Sequence, residues 1–255
     1  MITGARRLLS RVPHPSARRA LLMLCLWLAG PVAASGITDA VYTGPTSDYP
    51  HGVLGDSIEW QTLEVSSVTT DGRTLSHVIT APTGRVFEDI APRLWDITGD
   101  GAPEVVTVES DAALGARLVI YGLQGAELKE LAATPNIGTR FRWLAPVGAA
   151  DLDGDGHIEI AFVDRPHLAK TLRIWRWQDG AFQQVAAIAG YSNHRIGEDF
   201  ISGGLRDCGA GPEMVLATAN WSGLVALRWD GDGFMSDPME HGTAPNAFEN
   251  ALSCR

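Results

Sequence analysis

The sequence lacks the short signatures that many catalytic sites carry. No Gly-x-Ser-x-Gly, His-Glu-x-x-His or phosphate-binding glycine loop occurs in its 255 residues. It has little that speaks for helices either: no long stretch shows helical periodicity. Basic residues are in deficit, 20 against 30 acids, and an acidic surface of this kind repels nucleic acid and anionic lipid. Cysteine is scarce, at three, which rules out a disulfide-dense miniature scaffold. The one notable apolar run, residues 20–28, is too short for a membrane span, which needs about 20 apolar residues.

That run has a context. Residues 1–19 hold Arg6, Arg7, Arg11, Arg18 and Arg19 and no acid, and residues 29–36 are mostly small. A basic start, a short apolar core and a small-residue cleavage site describe a secretory signal peptide over residues 1–35. The expected mature chain, residues 36–255, then has no transmembrane span and carries 15 basic and 30 acidic residues, net −15. A periplasmic or extracellular location follows, and roughly 220 residues suit a single domain. Cys25 leaves with the leader. Cys208 and Cys254 remain, an even count in an oxidising compartment, and are expected to pair.

The mature chain is repetitive. Trp95-Asp96-Ile97-Thr98-Gly99-Asp100-Gly101-Ala102-Pro103-Glu104 aligns with Ala150-Asp151-Leu152-Asp153-Gly154-Asp155-Gly156-His157-Ile158-Glu159. A worn third copy reads Arg206-Asp207-Cys208-Gly209-Ala210-Gly211-Pro212-Glu213. The three glutamates are 55 and 54 residues apart. After each loop comes an apolar strand and a turn, at Gln124-Gly125, Asp179-Gly180 and Asp230-Gly231. Short runs of Val, Ile, Leu and Trp between Gly and Asp turns read as strands. The expected fold is therefore all-β, with units of about 55 residues and four strands, the size of a propeller blade. Residues 38–85 supply a fourth unit, with a hairpin at Asp71-Gly72. Ala247-Phe248-Glu249-Asn250 echoes Val86-Phe87-Glu88-Asp89, which favours four blades closed by the two termini over a five-bladed ring or an open β-solenoid.

The loops carry the chemistry. Asp151, Asp153 and Asp155 alternate with glycines that let the chain turn, so their carboxylates converge. The His157 carbonyl and Glu159 complete a hard oxygen set of the kind Ca²⁺ takes. Phe162 and Thr107 stand where an EF-hand has its bidentate Glu, and the flanks are strands, so these are not EF-hands. An Asp-x-Asp-Gly-Asp-Gly-x-x-Glu loop between strands, recurring at this period, resembles the FG-GAP/VCBS repeats of integrin α-like propellers. The resemblance implies Ca²⁺ at Asp151, Asp153, Asp155, His157 and Glu159. In the first loop it implies the ion at Asp96, Thr98, Asp100, Ala102 and Glu104, Thr98 keeping an oxygen but losing a charge. The third loop has Arg206, Cys208 and Ala210 at ligand positions, so its turn survives without a metal. The resemblance also places these loops on one rim, opposite the blade connectors.

On the connectors, Arg85, Arg140 and Arg195 each precede a loop by eleven residues. Either they pair with neighbouring acids such as Glu88, Asp89, Glu198 and Asp199, or they bind an anion together with His194 and Glu198. The tryptophans are expected between blades. These observations point to an exported, calcium-binding, non-catalytic binding or structural module whose partner is a protein, glycan or small anion. The alternative is a propeller hydrolase or lyase acting on a small anionic or sugar substrate at the central channel.

Overall fold

The computed structural model describes residues 35–240 and 242–255; the expected signal peptide, but for Ser35, lies outside the described residues. Strand chemistry dominates throughout. Strands β1 (Gly36–Thr46), β2 (Glu59–Val68), β3 (Thr74–Thr80), β4 (Arg85–Phe87), β5 (Arg93–Trp95), β6 (Glu104–Asp111), β7 (Gly115–Gln124) and β8 (Glu127–Ala133) form the first sheet. The second is a plain meander of β9 (Leu144–Ala150), β10 (Glu159–Asp164), β11 (Thr171–Gln178) and β12 (Ala181–Ala189). The third comprises β13 (Tyr191–Ser192), β14 (Gly204–Asp207), β15 (Pro212–Thr218), β16 (Leu224–Trp229) and β17 (Phe234–Pro238). All pairings are antiparallel, and β5–β8, β9–β12 and β14–β17 are the same four-strand unit. The expected hairpin at Asp71-Gly72 joins β2 to β3, with Gly72 at φ 80°.

The period-2 alternation of side chains decides how the sheets stack. Val106, Val108, Leu118 and Ile120 of the first sheet pack against Leu144, Ile160 and Phe162 of the second. Ala161, Val163, Leu172 and Ile174 point the other way, onto Met214, Leu216, Val225 and Leu227 of the third. Strand β10 is consequently buried along its whole length, being covered on both faces. Strand β12, at the outer edge, alternates exposed and partly buried residues. Within the first sheet, Val105, Val119 and Tyr121 of β6 and β7 turn their other face onto Tyr42, Leu63 and Val65 of β1 and β2.

At the other end, Val215, Ala217 and Leu224 are covered by helix α1 (Pro245–Leu252) through Phe248 and Ala251. Here the structure departs from the sequence reading. The Ala247–Asn250 echo of a connector is helical, and among the described residues no ladder joins the terminal strands. Pro245 pre-sets the first helical turn, and the residues after it include no β-branched side chain to favour a strand. The helix covers a face of the third sheet and adds no strand to its edge.

Cys208 and Cys254 form a disulfide that ties the third loop to the chain just beyond α1. Among the described residues no helix is long and apolar enough to cross a membrane.

Candidate functional site

The three loops fold alike. Each has two glycines at positive φ: Gly99 and Gly101 at 75° and 87°, Gly154 and Gly156 at 78° and 90°, Gly209 and Gly211 both at 95°. Residues with a Cβ are strained there, so the glycine pair sets the turn. The leading aspartate then holds it. Asp151 accepts the N–H groups of Gly154 and Gly156 at 2.7 and 3.0 Å, and Asp96 those of Gly99, Asp100 and Gly101 at 2.7, 3.1 and 2.9 Å. The closing glutamate reaches back across the loop. Glu159 accepts from Leu152 N–H at 2.8 Å, and Glu104 from the Ile97 and Thr98 N–H groups at 2.8 and 3.2 Å.

Carboxylate oxygens of Asp151, Asp153 and Glu159 lie within 4.8 Å of one another. Like charges this close are relieved by a cation or by a raised pKa on one of them. In the second loop the chain supplies a cation of its own. Arg176 on β11 faces Glu159 across the β10–β11 ladder. Its guanidinium is 2.6 Å from both Glu159 and Asp155 and also pairs with Asp153. Burial nevertheless lifts the Glu159 carboxyl above its ordinary range, with Arg176 pulling it back.

The third loop uses a different arginine for the same purpose. Arg206 bonds Glu213 at 2.6 Å and donates to the Ala251 carbonyl at 2.8 Å, closing the C-terminal end of α1. In the first loop no arginine enters. The register of β6 and β7 sets Gly122 across from Glu104, and a Cβ on Gly122 would meet the Leu131 side chain at 2.5 Å. The first loop is thus free of a competing arginine, but among the described residues only in the second do three carboxylates offer oxygens within 4.8 Å of one another. There Arg176 holds the place that an ion would take, and it would have to give way.

The connector residues are placed as follows. Arg85 pairs with Glu109 at 2.8 Å and Asp111 at 3.1 Å. Arg140 lies over the Phe141 ring at 4.5 Å. Arg195 lies over Trp221 at 4.0 Å and 3.5 Å from Glu198. His194, Arg195 and Glu198 come together, but no hydrogen bond or ion pair joins them to Arg85 or Arg140. Glu88 and Asp89 take other partners, His51 with Ser110 and Arg93 respectively.

What converges between the connectors is a set the sequence did not single out, apart from His194. Residues 47–58 cross between them. The Tyr49 hydroxyl accepts from Phe141 N–H at 2.7 Å, and the Val53 carbonyl from Gly197 N–H at 3.1 Å. His51 is thereby stacked on Phe141, 5.1 Å between centroids, with Nδ1 bonded to the buried Glu88. Burial raises the Glu88 carboxyl, partly offset by His51 and Ser110. His194 Nε2–H donates to the Glu198 carbonyl at 2.9 Å, so its Nδ1 accepts from His167 Nε2–H, also at 2.9 Å. Desolvation, then the neighbouring imidazole, lowers His167 to about 4. His51 and His167 line one cavity of about 260 Å³ with Phe141, Arg142, Trp143 and Arg165. Nothing in the sequence relates His51 to Phe141, 90 residues on; the contact exists only because the 47–58 segment crosses over.

Residues 96–162 match the family model described as FG-GAP-like repeat. The chain carries an FG-GAP-like repeat. The match spans the first two loops and the strands between them, the part in which the carboxylate pattern is intact. No curated protein sequence matches. Similar solved structures include the following two. One is a protein from Lactobacillus plantarum, 16% identical over 71% of this chain and 50% of that one, TM-score 0.39. The other is a GH43 β-xylosidase/α-arabinofuranosidase from a compost microbial metagenome, 14% identical over 80% of this chain and 76% of that one, TM-score 0.44. The chain spans about half the length of the Lactobacillus plantarum protein.

Proposed function

We propose that this FG-GAP-like chain is an exported, calcium-binding β-propeller that serves as a binding module. Its units would be β1–β3, β5–β8, β9–β12 and β14–β17. The observation that carries the calcium reading is the recurrence of one loop geometry, with the same glycine pair and the same aspartate-held turn, in 96–104 and 151–159. Ca²⁺ would take the side-chain oxygens of Asp96, Thr98, Asp100 and Glu104 and the Ala102 carbonyl in the first loop. In the second, Asp151, Asp153, Asp155, Glu159 and the His157 carbonyl would take it after Arg176 is displaced. The bound ion would lock the strand ends that each loop joins. The Cys208–Cys254 disulfide supports an oxidising, extracytoplasmic compartment.

Calorimetric titration of chelator-treated protein with CaCl₂ tests this. One tight site, lost in Asp96→Ala and kept in Asp153→Ala, is the expected result. Absence of calcium binding in both loops would remove the proposal.

A further inference from the structure

The cavity between the connectors holds an unusual combination of polar atoms. With Glu88 as a carboxylate, His51 Nδ1–H donates to it, which leaves Nε2 as the ring's other nitrogen. His167 commits Nε2–H to His194, itself fixed by the Glu198 carbonyl, which leaves Nδ1 free. In neutral rings both free nitrogens are acceptors, and both imidazoles line the same cavity. The lowered value of His167 agrees with a neutral ring there. The one cation on the wall without a carboxylate partner is Arg142. Among the described residues its guanidinium makes one hydrogen bond, to the Phe141 carbonyl at 2.9 Å, whereas Arg165 is held by Asp164 at 2.7 Å.

The remaining walls are flat or apolar: Phe141, Trp143, Val53 and Leu168. Phe141 and Arg165 sit at φ 56° and 47°, left-handed positions that residues with a Cβ rarely take. Such strain is tolerated where the surroundings hold it, and it concentrates at ligand sites. At about 260 Å³ the cavity falls just below the usual small-ligand range of roughly 300–1,000 Å³. It has room for one small ring.

We propose that this cavity binds a single hydroxylated acid of monosaccharide size. Its oxyanion is held by the Arg142 guanidinium, its hydroxyl groups donate to His51 Nε2 and His167 Nδ1, and its ring lies against Phe141 and Trp143. The assignment follows from the donor and acceptor count. Two acceptor nitrogens call for two ligand hydroxyls, and a guanidinium free of carboxylates calls for an oxyanion. An uncharged sugar leaves Arg142 unanswered, and a bare anion leaves both imidazoles so.

Ligand-observed NMR and calorimetry on the intact protein decide the matter, with D-glucuronate, D-glucose 6-phosphate, D-glucose and inorganic phosphate as probes. Glucuronate or glucose 6-phosphate binds at least tenfold more tightly than glucose and than phosphate; which of the two is tighter identifies the oxyanion as carboxylate or phosphoryl. Arg142→Gln weakens the acid more than tenfold and leaves glucose unchanged, while Arg73→Gln on the exposed β2–β3 hairpin changes nothing. His167→Gln weakens the acid too, with the melting curve reporting that the fold is kept. Failure of both acids to bind at millimolar concentration overturns the proposal. So does equal binding of glucose, or an Arg142→Gln variant that binds as the wild type does. Calcium titration of the same samples reports on the loops independently, so one reading can fail without the other.

Discussion

Arg176 and Glu159 face each other across the β10–β11 ladder, guanidinium to carboxylate at 2.6 Å, in the loop that is richest in calcium ligands. One side chain thus answers the charge of Asp153, Asp155 and Glu159. Glu159 is fully buried, so the pair cannot be broken without leaving an uncompensated charge.

The second loop should therefore respond to calcium less than its sequence suggests, and Arg176→Gln should reverse this. Without calcium the variant should be destabilised by about 2 kcal/mol, the order of cost for an unsatisfied buried charged group. With calcium it should gain more than the wild type, since an ion at 100 times its Kd contributes about 2.7 kcal/mol. Melting curves in EDTA and in excess CaCl₂ measure both differences. An equal calcium response in the two proteins would show that Arg176 does not compete with the ion.

This point marks the limit of the sequence. The period, the strand–loop–strand units and the Cys208–Cys254 pair were legible because glycine turns, carboxylate spacing and cysteine count are local signals. The arginine in the second loop was not, because Arg176 lies 17 residues beyond Glu159 and reaches it only through strand register. The terminal helix was hidden by a chance likeness of four residues. The histidine cavity depends on a segment that crosses between connectors, and no spacing rule encodes that.

In the third loop a guanidinium and a disulfide take over the ion's part. Reduction, or Cys208→Ser, should lower the melting temperature. The bridge spans 46 residues, worth up to about 4 kcal/mol by chain entropy. The loss should be the same with and without calcium, because Arg206, not an ion, answers Glu213. A calcium-dependent loss in parallel melts would contradict the substitution of arginine for metal.

Acid should loosen the connector cavity. His167 is held neutral, its value lowered from 6.5 to about 4. The unfolded chain therefore binds more protons between those two values, and stability falls as pH drops from about 6.5 towards 4. His167→Gln should flatten that limb of the stability–pH curve in urea titrations. An unaltered slope between pH 6.5 and 4 would mean that His167 is solvated.

The alkaline limb should belong to Glu59. It is 2% exposed on β2, and burial, followed by the charges of Glu88, Asp56 and Asp89, raises it to about 9. Here the folded state holds the proton more tightly than the unfolded chain. The contribution is complete below about 4.5 and is lost as pH rises through 9. A neutral isostere escapes this loss. Glu59→Gln should raise stability at pH 8 by about 1–3 kcal/mol, given about 1.4 kcal/mol per pH unit of displaced titration and partial relaxation of the site. At pH 4, where Glu59 is protonated in both states, the variant and the wild type should melt together. A stabilisation of the same size at both pH values would point to packing or hydrogen bonding of the amide, and the buried acid would then not be the source of the alkaline limb.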